Sequence, residues 1–293
     1  MSAGLPPTER PNPRTAGLDL LDTPALVAML VDDQRGAVEA VLSQVGRIAE
    51  VVDAVAARIQ RGGRLHYAGA GSSGRLGALD AAEMPPTFGT PPEMVCAHVA
   101  GGVDALVRAV EGAEDDREAG VAAMSGVTAS DAVVGISAGG SAAFVVAAIA
   151  RARTVGAYTV ALTSAAGSPL ALEAGIAIVL PTEGEALAGS TRLKAGTAQK
   201  IALNAISTGV MVRLGKVYDN LMVDLVAGNR KLRERALRLV CTVAGVDEAR
   251  AGALLAEAHG RVKVAVVMAR HGVDPETARA LLARHGDALR PLL

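Results

Sequence analysis

Apolar positions along this chain change their period several times, and each change predicts an element. Residues 1 to about 16, rich in Pro and polar side chains, show no period and read as an extended arm, mobile or laid on a neighbour. Thr23-Pro24 opens a helical pattern through Leu30. A longer one runs from about Gly36 to Gln60, with Val38, Val41, Leu42, Val45, Ile48 and Val52 on one face, and Gly62-Gly63 ends it. Short continuous apolar runs then alternate with helical stretches. Arg64 to Ala68, Met94 to Val99, Ala132 to Ile136, Tyr158 to Thr163 and Ile176 to Leu180 read as strands. Between them, Arg75 to Glu83 starts a helix that Pro85-Pro86 should stop, Ala105 to Val110 is helical, and Ala142 to Thr154 is a third helix. Ser190 to Leu214 forms one long helical pattern.

Strands that are apolar throughout and separated by helices predict an α/β fold: a doubly wound, mostly parallel sheet with helices on both faces. From about Leu232 the texture changes. Several short helices separated at Gly245, Gly260, Gly272 and Gly286 predict a small C-terminal helical domain. The expected division is residues 1–50 for the arm and first helices, 51–231 for the sheet domain and 232–293 for the helical tail.

Composition narrows the function. With 51% hydrophobic and 20% charged residues the chain is globular rather than disordered. Aromatics are only 2%, with no Trp, so nothing offers a platform for stacking bases. Lys plus Arg number 29 against 30 Asp plus Glu, a net charge of −1 that gives no footprint for nucleic acid or an anionic membrane. Cys96 and Cys241 have no Cys-x-x-Cys partner, which suits a reducing cytoplasm. The N-terminus lacks the apolar stretch of a secretory signal, and the apolar run Ala142 to Ala150 is too short to span a bilayer. The five histidines show no ligand spacing, so no metal and no cofactor are expected.

Two small-residue turns carry the candidate chemistry. Gly69-Ala70-Gly71-Ser72-Ser73-Gly74-Arg75 joins a strand to a helix, where glycines let the backbone approach a ligand and free N–H groups favour an anion. No strand ending in Asp or Glu follows at the dinucleotide distance, so the turn suits a single phosphate, or is an ordinary tight turn. Ser137-Ala138-Gly139-Gly140-Ser141 stands likewise after a later strand. Two such turns in one parallel sheet point to a site at a switch point. Glu83, at the expected end of a helix where the macrodipole disfavours a carboxylate, is an acidic candidate. Glu111, Glu114, Asp115 and Asp116 cluster after the next helix, as candidates or as an ordinary solvated loop. Thr191 and Arg192 contact a ligand, or serve as an N-cap and a surface charge.

Longer blocks carry a resemblance. His66 to Gly77 continuing through Asp80-Ala81-Ala82-Glu83-Met84-Pro85-Pro86-Thr87, then Val110 to Asp115, Gly189 to Lys200 and Gly215 to Asp224, resemble the N-acetylmuramic acid 6-phosphate etherases. The likeness covers nearly the whole chain. It implies a sugar isomerase (SIS) domain acting as a cytoplasmic homodimer, with a ubiquitin-associated-like helical tail, in cell-wall recycling. The reaction it implies releases D-lactate from N-acetylmuramic acid 6-phosphate and leaves N-acetylglucosamine 6-phosphate. The family's two functional carboxylates fall on Glu83 and Glu114, and its phosphate turn on Ser72 to Gly74, with Gly71 beside it. Ser137, Gly139, Ser141, Thr191 and Arg192 complete the expected contacts to a small sugar phosphate. The chain departs from the family at Ser137 to Ala143, where members commonly carry Ala-Ala-Ser-Gly-Arg-Thr-Pro, and near Val31, Asp33 and Gln34. Two other readings stay open: an aldose–ketose isomerase on the same fold, and a non-catalytic sugar-phosphate sensor.

Overall fold

The computed structural model describes residues 5–225 and 230–293. The chain divides into two compact units, one made of Met1–Ala81 with Glu93–Ser207 and the other of Ala82–Pro92 with Thr208–Leu293. In the first unit, three helices, α1 (Thr23–Asp33), α2 (Arg35–Leu42) and α3 (Val45–Gln60), precede the sheet. Strand β1 (Leu65–Gly69) leads directly into α4 (Gly71–Phe88); β2 (Val95–Val99), α5 (Arg117–Ala123), β3 (Ala132–Ile136), α6 (Ala143–Thr154), β4 (Tyr158–Thr163), α7 (Pro169–Glu173) and β5 (Ile176–Val179) follow. The long helix α8 (Lys194–Arg213) comes next. All five strands pair in parallel in the order β2-β1-β3-β4-β5. The α/β reading of the sequence therefore stands.

Burial explains why the strands were legible. Every residue of β1 and β3 is buried, as expected for a sheet covered on both faces. Side chains alternate between those faces. Ala68, Val133 and Ala161 face one way and pack with Val145, Ala148 and Ile149 of α6 and Met124 beside α5. Tyr67 faces the other way, where its hydroxyl donates to Asp80 Oδ2 on α4 at 2.8 Å. Asp80 also accepts from Asn204 Nδ2 (2.7 Å) and Ser207 Oγ (3.0 Å) of α8, so one buried carboxylate ties strand, α4 and α8 together.

Four local expectations are corrected. The helix from Gly36 to Gln60 is two helices, broken between Leu42 and Val45. Ala105 to Val110 is not a helix; a 3-10 turn covers Val103–Leu106 and a loop follows. The helix after the first turn is not stopped by Pro85-Pro86 but carries both inside it and runs to Phe88. Each proline removes one i→i−4 bond, so the carbonyls of Ala81 and Ala82 lack a helical donor, and the division between the two units falls between these two residues. The arm is not loose from residue 5 onward, and residues 1–4 lie outside the described residues. Thr8 and Thr15 are buried, Gly189 N donates to Thr8 O (2.9 Å), and Thr15 Oγ1 donates to Ala186 O (2.9 Å).

The second unit has its own core. A hairpin of β6 (Val217–Tyr218) and β7 (Leu221–Met222) precedes α9 (Arg230–Ala244), α10 (Glu248–Glu257), α11 (Val262–His271) and α12 (Pro275–Arg284). Val240, Leu254, Val266 and Leu282 are among the apolar side chains buried there. Lys263 is buried among them because its ammonium is fully met: Asp287 Oδ2 lies at 2.6 Å and Asp224 Oδ2 at 3.1 Å. No helix among the described residues is long and apolar enough to cross a membrane.

Candidate active site

The order β2-β1-β3 places a topological switch between β1 and β3, and crevices at such points open beyond the strand carboxyl ends. Gly69 pairs in register with Ile136. The two glycine–serine turns of the sequence therefore leave the sheet side by side.

The first turn is one residue long, Ala70, before α4 begins. Gly71 has φ of +53°, a left-handed conformation that glycine adopts without strain. Gly74 is buried against the backbone of Gly69, and its N–H donates to Ala70 O at 3.2 Å. Ser72 is half-buried. Ser73 is buried, and its hydroxyl donates to Gln199 Oε1 of α8 at 2.9 Å. Next in the chain, Arg75 donates from Nε to Ala105 O and from Nη2 to Arg108 O, both at 2.8 Å. Its planar guanidinium thus tethers the segment that leads to Glu114.

The second turn is pinned to the strand beside it. Ser137 N donates to Leu162 O (3.1 Å), Ser164 N to Ala138 O (2.9 Å) and Thr163 Oγ1 to Ala138 O (3.1 Å). Gly140 N donates to Ser137 Oγ at 3.1 Å, and at φ +68° a Cβ there would collide with Ser168. Gly139 is half-buried and Ser141 exposed. Helix α6 starts just beyond with no side-chain cap, which leaves its first N–H groups for another acceptor.

Thr191 and Arg192 lie just ahead of α8, half-buried and exposed respectively. Neither caps the helix. The cap is Glu185, fully buried, whose two oxygens accept from Lys194 N and Ala195 N at 2.8 Å each. Burial pushes its carboxyl above the usual range, and those two N–H groups pull the other way. Lys194 extends to Asp33 Oδ1 (3.0 Å) and Gly184 O (2.8 Å), holding the loop before the helix to α1. Gly196, in the first turn of α8, would meet Leu76 of α4 at 3.9 Å if it bore a Cβ. The structure thus groups both turns and the start of α8.

Glu114 is exposed, in a 3-10 turn (Ala113–Asp115) that opens at Gly112 with φ of +73°. Beside it lies a cavity of about 720 Å³, lined by Ala78, His98, Val99, Leu106, Glu111 and Phe144 among others. That volume suits a small ligand. Behind it His98 Nε2 approaches His66 Nδ1 at 3.1 Å; burial first, and the neighbouring ring second, lower His66 to about 4. Glu83 is exposed on α4, inside the helix rather than at its end, and belongs to the second compact unit. The sequence reading missed Glu185, Asp80 and Gln199. Gln199 stood in the Gly189 to Lys200 block, but only its burial against Ser73 singles it out.

The parallel sheet and its two glycine–serine turns lie within residues that match SIS domain models, which makes this a SIS domain protein. The SIS domain family matches residues 106–208, and the glucokinase regulatory protein N-terminal SIS domain matches residues 47–153. Over nearly the full length the chain is similar to named enzymes. It is 49% identical over 284 residues to the N-acetylmuramic acid 6-phosphate etherase of Gloeobacter violaceus, covering 96% of this chain and 93% of that one. It is 48% identical over 288 residues to that of Synechococcus sp. (98% and 91%). It is 47% identical over 296 residues to that of Salmonella choleraesuis (100% and 99%). The chain belongs to the N-acetylmuramic acid 6-phosphate etherase family.

Proposed function

We propose that this chain cleaves the D-lactyl ether of N-acetylmuramic acid 6-phosphate, giving N-acetylglucosamine 6-phosphate and D-lactate. The observation that carries the reading is identity of 47% with an etherase across 100% of the chain. An ether resists simple hydrolysis, but this one stands β to the aldehyde of the open-chain sugar. Removing the proton at carbon 2 expels lactate from carbon 3 and leaves an α,β-unsaturated aldehyde. Water then adds its hydroxyl at carbon 3 and a proton at carbon 2. The chemistry needs one carboxyl group to give a proton and another to take one. Glu83 protonates the departing lactate oxygen and then activates water. Glu114 is the base at carbon 2 or the group that orients it.

The phosphate is held by Ser72, Ser73 and the N–H groups of Gly71 to Ser73 at the start of α4, with Ser137, Gly139, Ser141, Thr191 and Arg192 as further contacts and Gly74 lining the turn. Binding at that end positions carbons 2 and 3 for the reaction. In this reading residues 51–231 are the catalytic domain and residues 232–293 a ubiquitin-associated-like tail. The protein acts as a cytoplasmic homodimer. Exposed Val27, Val31, Val38, Leu42 and Val45 on the first three helices support a second copy as their cover.

The test incubates the purified protein with N-acetylmuramic acid 6-phosphate in ¹⁸O-labelled water. D-lactate should appear, with one labelled oxygen at carbon 3 of the sugar product. Lactate without label in the sugar refutes elimination and hydration. Binding without turnover favours the sensor, and an isomerised sugar without lactate favours the isomerase.

A further inference from the structure

Ser73 and Gln199 form a pair that can be arranged in two ways. Both side chains are buried, at 9% and 1% exposure. As they stand, the serine hydroxyl donates inward to Gln199 Oε1 at 2.9 Å. Gln199 Nε2 is then a buried donor with no partner among the described residues. Buried N–H groups are rarely left so, whereas a carbonyl oxygen tolerates it better. A serine has one proton to give, and a phosphate dianion only accepts. In this arrangement Ser73 therefore cannot donate to a phosphate at the start of α4.

Turning the amide over reverses every term. Nε2 then donates to Ser73 Oγ, the atom left unpaired inside is a carbonyl oxygen, and the Ser73 proton is released toward the turn. Nε2 itself is shut off from solvent, so Gln199 acts only through the serine. We propose that Gln199 is a positioning residue: its amide sets the direction of the Ser73 hydroxyl, and an anion at the N-terminus of α4 selects the turned state. The inference rests on reading this turn as the phosphate-binding turn.

The test measures inorganic phosphate binding by calorimetry, together with KM and kcat for the sugar phosphate. Gln199→Glu keeps the shape and, assayed at a pH high enough to ionise a carboxyl raised by burial, can only accept, so it locks the serine inward. Its phosphate affinity should fall roughly 10- to 100-fold, the worth of one hydrogen bond to a charged group, and KM should rise by a similar factor with kcat changed far less. Gln199→Leu should lose less than Gln199→Glu, and that loss should vanish in a Ser73→Ala background. Wild-type affinity in Gln199→Glu, or additive losses in the Gln199→Leu/Ser73→Ala pair, would overturn the inference. If Gln199→Glu does not fold, the leucine pair decides alone. Phosphate binding by a wild-type protein that releases no lactate would sink the etherase reading and leave this one standing.

Discussion

Gly69 and Gly74 stand so close that a Cβ on either would meet the other's backbone at 2.7 Å. The end of β1 and the first turn of α4 are thereby in direct contact, and the N–H groups of the turn are aimed by that contact. Gly71, two residues after Gly69, is the opposite case: nothing lies within 4 Å of where its Cβ would be, but its φ is +53°. Gly74→Ala should therefore destabilise the protein by about 1–3 kcal/mol through overpacking. Gly71→Ala should cost roughly 1 kcal/mol, from the left-handed backbone alone. Urea midpoints at unchanged m-value measure both. A Gly71→Ala protein less stable than Gly74→Ala would contradict this account.

The His66–His98 pair predicts an acid response. His66 is held down to about 4, first by burial, then by His98, with Arg64 adding to the depression and Asp131 opposing it. His98 is lowered as well, chiefly by burial. In the unfolded chain a histidine titrates near 6.5. Between about 6.5 and 4 the unfolded state thus binds more protons than the folded one, and stability rises with pH across that window. It is fully present above 6.5 and progressively lost as pH falls toward 4. His66→Gln should flatten the slope of unfolding free energy against pH in this window. Equal slopes for wild type and variant would rule His66 out as its source.

Asp80 is the joint on the opposite face of the sheet. It accepts from Tyr67, Asn204 and Ser207, and burial raises its carboxyl even against those three donors. Removing it strands the buried Tyr67 hydroxyl and takes the short acceptor from Asn204 and Ser207. Asp80→Ala should cost roughly 3 kcal/mol, more than an ordinary surface change. Tyr67→Phe removes one donor and leaves the others paired, so its cost should be smaller, about 1 kcal/mol. Thermal melts of the two variants check the order.

How far the sequence could be read depended on the range of the interactions. The strands were visible because β1 and β3 are buried along their whole length, and an unbroken apolar run records that locally. The glycines of the two turns were visible because backbone conformation is local too. What escaped was set by partners far away in the chain. The arm is pinned by Gly189 N on Thr8 O, and α8 is capped by Glu185 from outside the helix. Neither has a spacing to read. Pro85-Pro86 misled for a related reason: each proline removes one helical bond without forbidding the helix when packing holds the rest. Glu83 drew notice only through an expected helix end that the structure moves to Phe88, and Glu114 was singled out by family likeness. Both are exposed, and nothing local distinguishes them from other surface acids.

The roles given to those two glutamates separate in deuterated water. If Glu83 gives its proton to the departing lactate, its loss blocks departure but not removal of the carbon-2 proton. Glu83→Ala should then lower lactate release by roughly 10²- to 10⁴-fold while solvent deuterium still enters carbon 2 of recovered substrate. If Glu114 is the base, or holds it in place, Glu114→Ala should lose exchange and lactate release together. Mass spectrometry of the recovered sugar reads the first quantity, and a D-lactate assay the second. Near-normal lactate release by Glu83→Ala would remove it as the acid, and wild-type exchange by Glu114→Ala would remove it from proton abstraction. Loss of exchange in Glu83→Ala with exchange kept in Glu114→Ala would reverse the assignment, since the group at carbon 2 is the one whose removal leaves that proton in place.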